Sequence, residues 1–181
     1  SIPEVVSKGL DPEFMWQAAD GLMLQGGLMY ADTRYGSNIP GADFVEPTGA
    51  LYKLPGAQMS FAPKWSGSAS VTYEWDFAGD LIGRFNFGAK YMSEYNTGSD
   101  LDPEKLQDAF TVANARLGFG SRDQRWMVEL WSTNLFDTDY VQVGFDGSLQ
   151  VASSVPNDPA NTYNAFLGAP RMYGVTFRVR Y

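Results

Sequence analysis

The sequence predicts an all-β protein, a transmembrane antiparallel β-barrel, and three observations lead to this fold class. Apolar and polar residues alternate along most of the chain, and no helical stripe extends beyond about two turns. The predicted strands are long, about 13–16 residues, whereas strands of soluble proteins usually have about 5–6. Tight turns and long connections alternate strictly, which is typical of barrels with short periplasmic turns and long extracellular loops.

Seven strands are predicted in chain order. They span residues 3–17, 21–35, 64–77, 80–95, 107–120, 124–142 and 168–181. The tight turns AADG (18–21), DFAGD (76–80) and GSRDQ (120–124) contain the Asp and Gly residues that turns prefer. The long connections, 36–63, 96–106 and 143–167, are rich in Pro, Gly, Asn, Asp and Ser.

Each predicted strand has one apolar face and one polar face. In SASVTYEW (68–75), GRFNFGAKY (83–91), NARLGF (114–119) and RWMVELW (125–131), alternate residues separate into these two sets, as they do in YGVTFRVRY (173–181). The first strand contains Pro12, which cannot donate a hydrogen bond to a neighbouring strand. We therefore expect either a bulge at Pro12 or a neighbouring strand that is absent or displaced.

Aromatic residues lie at both ends of the apolar face, as expected where a protein crosses the two interfaces of a bilayer. Those beside a tight turn or the C-terminus are Trp16, Trp75, Phe77, Phe119, Trp126 and Tyr181. Those near a long connection are Tyr30, Tyr35, Tyr91, Tyr95 and Tyr173. The pattern predicts that this face meets lipid, with a soluble β-sandwich as the alternative.

The polar face is predicted to line the interior of the barrel. Its charged residues are Glu74, Arg84, Lys90, Arg116, Glu129, Arg178 and Arg180. Opposite charges on neighbouring strands can pair across such a wall.

Composition excludes several function classes. The 181 residues include no Cys and no His, so thiolate metal sites, disulfides and His-dependent catalytic triads are absent. A net charge of −8 makes nucleic acid an unsuitable partner. We expect no enzymatic activity, no cofactor and no bound metal. Asp100, Asp102 and Glu104 offer clustered carboxylates for Ca²⁺, but SDLDPEKLQDA equally fits a capped helical turn.

Several stretches resemble one family. WSTNLFDTDY (131–140) resembles the Asn-Leu-Phe-Asp signature in the next-to-last strand of TonB-dependent outer-membrane receptors, and GAPRMYGVTFRVRY (168–181) resembles their final strand. SKGLDPEFMWQAADGLMLQGGLMYADTRY (7–35) and LPGAQMSFAPKW (54–65) are similar to further blocks of the same family. In this reading Asn134 and Asp137 are structural residues that bond nearby backbone.

The resemblance implies the last seven strands of a 22-stranded barrel, so that residues 1–181 are part of a single β-barrel domain. The family also implies an N-terminal plug, which would contact the charged residues of the polar face, and a TonB-contacting segment. We expect residues 1–181 to contain neither. Seven strands leave two open edges, which lipid does not tolerate. We therefore expect the missing strands and plug to come from the same or a companion chain.

By the resemblance, the function is energy-coupled uptake of a scarce nutrient, most often a ferric siderophore, across the bacterial outer membrane. The implied partners are the plug, TonB, lipid or lipopolysaccharide, and a small nutrient. Loops on a rigid scaffold often carry recognition. The predicted ligand-contacting residues are Asp43, Phe44, Tyr52, Tyr95, Phe145, Asp146 and Tyr163. A passive porin or another outer-membrane barrel is the alternative function, and a soluble carbohydrate-binding β-sandwich is a further one.

Overall fold

The computed structural model describes residue 2 and residues 4–39, 54–77, 79–147 and 163–181. In these ranges nearly all regular structure is antiparallel β-sheet. The strands are β1 (Val5–Leu10), β2 (Glu13–Ala19), β3 (Leu22–Tyr35), β4 (Trp65–Asp76), β5 (Leu81–Met92), β6 (Tyr95–Asn96), β7 (Leu106–Gln107), β8 (Phe110–Ser121), β9 (Trp126–Thr133), β10 (Val141–Phe145), β11 (Asn164–Leu167) and β12 (Met172–Val179). One turn of 3-10 helix, Pro103–Lys105, precedes β7.

The principal sheet is a meander with strand order β1-β3-β4-β5-β8-β9-β12, and β2 also pairs with β3. Tight turns make neighbours of β2 and β3, of β4 and β5, and of β8 and β9, whereas the other neighbouring strands of this sheet are joined by longer connections. Within the described residues the sheet does not close on itself, so β12 forms one edge and β1 with β2 forms the other. The antiparallel sheet confirms the all-β prediction.

Pro12 interrupts the first strand without changing its register. Leu10 pairs with Tyr30 and Glu13 pairs with Gly27, which is one continuous alignment on both sides of the proline. The Leu28 amide donates to the Pro12 carbonyl oxygen at 3.1 Å. Since proline has no N–H, only the return bond is lost. The expected bulge at Pro12 is therefore not found, and the β3 neighbour is not displaced; the register shift lies between Gln17 and Ala19 instead. On the outer side of β1 and β2 the neighbouring strand is absent within the described residues, which agrees with the other alternative.

The predicted strand 124–142 was too long. β9 ends at Thr133, and β10 belongs to a separate hairpin with β11. Asn134 and Asp137 have positive φ values of 47° and 57°, which an extended strand cannot accommodate. The Asn134 side chain bonds the backbone of Thr138 and Ala169, so the prediction of a structural role for this motif is confirmed.

The two ends of the principal sheet differ. At one end, called here the tight-turn end, short turns join β2 to β3, β4 to β5 and β8 to β9. At the other, the long-loop end, the chain makes its long connections and forms the β6–β7 pair and the β10–β11 hairpin. A small buried cluster of Tyr35, Ile39 and Leu54 lies at this end. Among the described residues, no helix is long and apolar enough to span a bilayer.

Candidate functional site

One face of the principal sheet carries the charged residues that the sequence assigned to it. The register places Glu74 opposite Arg84, Arg84 opposite Gly118, and Gly118 opposite Glu129 in one row across four strands. This side of the sheet is called the polar face. Lys90, Arg116 and Arg178 lie on the same face. Each is an even number of residues along its strand from a member of this row or from the residue opposite Glu129, so its side chain points to the same side. Arg180 follows β12 and donates its amide to the Arg125 carbonyl oxygen.

Ion pairs link neighbouring strands on the polar face. The Arg178 guanidinium lies 3.1 Å from the Glu129 carboxylate, and Arg84 lies 3.9 Å from Glu74. Glu129 is almost buried, whereas both arginines are half exposed or more. The pair of Arg84 with Glu74 is exposed on both sides, and such a pair contributes little stability and is weakened by salt. The ion pairs keep the polar face charged, but they do not bind it tightly to any one partner.

The polar face is concave. A depression of about 590 Å³ is lined by residues of β2, β3, β4 and β5, including Glu13, Gln25 and Lys90. A second of about 410 Å³ includes Arg116, Glu129 and Arg178 in its lining. Both lie on the side predicted to be the interior of the barrel.

The opposite face, called the apolar face, is covered by large apolar side chains. Trp16 pairs with Leu24, Leu24 with Val71, and Val71 with Phe87. At the other side of the sheet Leu117 pairs with Leu130, and Leu130 pairs with Val175. The exposed large hydrophobics of these rows include Trp16, Leu117, Leu130, Val175, Phe177 and Val179. An apolar face this extensive needs a nonpolar environment or a partner to cover it.

Aromatic rings contact one another at both borders of the apolar face. At the tight-turn end, Phe119 lies edge-on to Trp75 and Phe77, at centroid distances of 6.3 and 5.1 Å. At the long-loop end, Tyr30 and Trp65 are 4.7 Å apart. The predicted anchors Trp16, Trp126 and Tyr181 are also exposed.

The two borders are separated by a membrane-like distance. Trp65 and Trp75 lie on the same face of β4. The stretch between them, at about 3.3 Å rise per residue and a tilt of about 40°, spans about 25 Å, the height of the apolar band of outer-membrane barrels.

Trp75 also shows why glycine is required inside a strand. Its ring lies over Gly83, the residue directly opposite, so that a side chain at position 83 would clash with the indole. On the polar face Trp131 covers Gly174 in the same way, and the Trp131 indole N–H donates to Thr176 Oγ1 at 3.1 Å. The sequence analysis gave Trp131 no role.

At the long-loop end, two connections meet at Lys105. The Lys105 side chain is 2% exposed, and its Nζ lies 2.6 Å from one carboxylate oxygen of Asp100 and 2.6 Å from one of Asp146. Burial alone would lower the pKa of Lys105, but hydrogen bonds to the two carboxylates outweigh burial and raise it. The pKa of Asp100 lies below its usual value because bonds from Lys105 and the backbone outweigh its burial. No sequence signal distinguished this lysine from a solvated loop residue.

The capped helical turn is the correct interpretation of SDLDPEKLQDA. Asp102 caps the 3-10 turn by accepting from the Glu104 amide. The carboxylates that come within 4.8 Å of one another are those of Asp100, Asp102 and Asp146, so Asp146 takes the place that the sequence analysis considered for Glu104. The ammonium of Lys105 already pairs with two of the three carboxylates.

The predicted ligand-contacting residues fall into three groups. Asp43, Phe44 and Tyr52 lie outside the described residues. Phe145, Asp146 and Tyr163 lie on or beside the β10–β11 hairpin, and Phe145 contacts Phe166 at a centroid distance of 5.4 Å.

Tyr95 is only 7% exposed, with its hydroxyl 3.5 Å from the Val141 carbonyl oxygen. Burial and the nearby Tyr140 raise the pKa of its phenol. Its ring therefore packs the two connections together and offers little surface to a ligand. Tyr35 is similarly buried in the small cluster of this end, so it is not one of the interfacial aromatics.

Comparison with known proteins supports the same architecture. Residues 1–135 match the family described as TonB dependent receptor-like, beta-barrel. The ferric yersiniabactin uptake receptor FyuA from Yersinia pestis is similar over 97% of this chain and 23% of its own, with a TM-score of 0.75 and 15% identity. BauA, the ferric preacinetobactin receptor from Acinetobacter baumannii, is similar over 94% of this chain and 21% of its own, with a TM-score of 0.64 and 14% identity.

At these identities the two structures show the fold alone, and the chain spans less than a quarter of the length of either receptor. The family match is the stronger finding because it extends over most of the sequence. It agrees with the resemblance of the chain's own motifs and with a sheet that is apolar on one side and polar and concave on the other. The chain belongs to the TonB-dependent receptor-like β-barrel family.

Proposed function

We propose that this chain is the C-terminal part of the barrel of a TonB-dependent outer-membrane receptor for a scarce nutrient, with ferric siderophores as the ligand class. The family match carries the proposal. The names of the two structural neighbours, both receptors for ferric ligands, support the choice of ligand class. In this proposal residues 1–181 are part of one barrel domain in the bacterial outer membrane.

The two faces of the sheet support the membrane orientation. The apolar face meets lipid, and its aromatic borders lie at the two interfaces. The tight-turn end is then periplasmic and the long-loop end extracellular. A soluble β-sandwich would instead cover this face with a second large sheet, whereas the other sheets among the described residues are the two-stranded pairs β6–β7 and β10–β11.

The polar face lines the lumen and contacts the plug. Lys90 and Arg116 have no carboxylate partner among the described residues, so acidic groups of a plug suit them. The cross-strand pair of Glu74 with Arg84 is exposed to solvent, and in the pair of Glu129 with Arg178 the arginine is exposed. Contacts that solvent screens are reversible, as required of a plug that moves during each transport cycle.

Ligand recognition belongs to the extracellular loops. Phe145, Asp146 and Tyr163 present aromatic and acidic groups at the long-loop end. Asp43, Phe44 and Tyr52 stay predictions for the first long connection. The acidic character of these residues does not favour a free anionic ligand at these loops.

Transport in this proposal makes and breaks no covalent bond of the ligand, so the protein is a transporter and not an enzyme. Loops and plug bind the ligand outside, and TonB remodels the plug by using the proton gradient of the inner membrane. The chain's own contribution is a rigid wall with a lipid side, a plug side and a set of recognition loops.

The test is uptake of ⁵⁵Fe-loaded siderophores by cells that express the full-length receptor, with and without functional TonB. We expect saturable uptake that disappears when TonB is absent or when an uncoupler dissipates the proton gradient. Conductance in planar bilayers without TonB, together with unsaturable influx, would instead identify a passive porin. A full-length protein that is monomeric and soluble without detergent would reject the membrane orientation.

A further inference from the structure

Lys105 is a buried cation outside the machinery proposed for transport. It is the last residue of the 3-10 turn Pro103–Lys105, and its side chain is almost wholly removed from solvent. Burying an ammonium is costly unless opposite charges and hydrogen bonds compensate it. Here two carboxylate oxygens, each at 2.6 Å, provide that compensation.

The two carboxylates belong to different segments. Asp100 lies in the same connection as Lys105, between β5 and β8, whereas Asp146 directly follows β10. The pair of Lys105 and Asp146 therefore joins the β10–β11 hairpin to the connection between β5 and β8. A backbone hydrogen bond joins the same two segments, because the Gly144 amide donates to the Thr97 carbonyl oxygen at 2.9 Å. Thr97 is in turn bonded to Lys105, since its amide and hydroxyl donate to the Lys105 carbonyl oxygen at 2.9 and 2.7 Å.

The two carboxylates differ in how easily they can separate from the Lys105 ammonium. The Asp146 side chain is 53% exposed, so water can solvate its carboxylate when the hairpin moves away. Asp100 is less exposed and is near Lys105 in sequence, so it keeps the ammonium partly compensated after Asp146 departs. Opening at Asp146 thus avoids leaving an isolated charge in the interior, which would be the costly outcome.

We propose that Lys105 is the centre of an ion-pair latch that docks the β10–β11 hairpin on the connection between β5 and β8, with Asp146 as its releasable half. In the docked state Gly144 lies against Thr97, which is 1% exposed, and beside the ring of Tyr163, while the Tyr95 hydroxyl donates to the Val141 carbonyl oxygen. In the released state the hairpin moves independently while Lys105 stays paired with Asp100. The latch concerns two loops of this chain and does not depend on which ligand the receptor takes.

The acidic cluster already contains a lysine ammonium. The oxygens of Asp100, Asp102 and Asp146 approach one another within 4.8 Å, but the lysine ammonium lies among them. A divalent cation bound to all three carboxylates would compete with the Lys105 ammonium for Asp100 and Asp146. We therefore expect hairpin docking to be the same in calcium and in EDTA.

The test is hydrogen–deuterium exchange on the full-length receptor in detergent, followed in peptides that cover 95–107 and 141–147. Lys105→Met removes the ammonium and keeps the apolar stem, and Asp146→Asn removes one charge at a half-exposed position. Loss of a charged hydrogen bond predicts exchange about tenfold to a hundredfold faster in 141–147. Arg122→Met is the matched control, because Arg122 pairs with Asp76 at the tight-turn end.

The double variant Lys105→Met/Asp146→Asn decides whether the two residues act together. If they form one latch, the double variant exchanges no faster in 141–147 than Lys105→Met does. Unchanged exchange in Asp146→Asn, or additive effects of the two changes, would overturn the proposal. If exchange in β4 and β5 became faster by the same factor as in 141–147, the proposal would also be overturned, because that result shows general destabilisation. If Lys105→Met does not fold, Asp146→Asn carries the test alone.

Discussion

Among single residues, Asn134 shows how a side chain stabilises an unusual backbone conformation. Its φ of 47° is in the left-handed region, which L-residues other than Asn, Asp and Gly rarely adopt. The side-chain amide donates to the carbonyl oxygens of Thr138 and Ala169, and its oxygen accepts from the Thr138 amide. One residue thus ends β9, forms the following turn and holds the segment that leads into β12.

We predict that Asn134→Ala destabilises the full-length receptor by about 2–4 kcal/mol, through lost buried hydrogen bonds and a left-handed backbone that alanine disfavours. Asn134→Gly loses the same bonds but tolerates the φ value, so it should cost about 1 kcal/mol less. Urea unfolding of the detergent-solubilised protein measures both. Equal stability of Asn134→Ala and wild type would contradict the structural role.

At the scale of elements, successive side chains of each strand point alternately to the apolar face and to the polar face. Phe87 lies on the apolar face between Val71 and Ala115, and Ser70 lies on the polar face between Gln25 and Gly88. Ser70 borders the larger depression, where a long polar side chain has room. The two positions are close in the sheet and differ in the side to which they point.

We predict that Phe87→Arg impairs assembly of the barrel and that Ser70→Arg is tolerated. An arginine on the lipid face near the bilayer midplane costs about 2–4 kcal/mol, whereas a lumenal arginine stays hydrated. The measurement is the fraction of full-length receptor that resists SDS until it is heated. Equal assembly of the two variants would mean that the faces have been assigned to the wrong environments.

At the scale of the whole molecule, the open edges of the sheet decide whether the chain can be stable in a membrane. The outer sides of β12 and of β1 with β2 have no neighbouring strand within the described residues. Unpaired backbone N–H and C=O groups are costly in hydrocarbon, where no water can bond them. The 20.0 kDa chain therefore needs further strands on both sides to be stable in a membrane.

We predict that residues 1–181 produced alone do not insert into lipid vesicles as a protease-resistant species, and that the full-length receptor does. The physical reason is the two rows of unsatisfied edge groups, which only further strands can pair. Protease treatment of vesicles after insertion distinguishes the two cases. Stable insertion of the chain alone as a monomer would contradict the need for additional strands.

The sequence by itself determined the features that depend on neighbouring residues. Alternation with a period of two revealed the two faces, Asp and Gly marked the tight turns, and aromatic positions such as Trp75 and Phe119 marked one border of the apolar band. These features are local, because side-chain direction in a strand and the backbone angles of a turn follow from a few adjacent residues.

Only the tertiary structure decided which distant groups meet. The pairing of Lys105 with Asp146, the burial of Tyr95 and the end of β9 at Asn134 depend on how the long connections fold against one another. Pro12 shows the same limit: its effect on register depended on bonds from β3, which hold the first strand in line across the proline. Local patterns determine which way a side chain points, whereas contacts between loops result from packing of the whole chain, which no short stretch encodes.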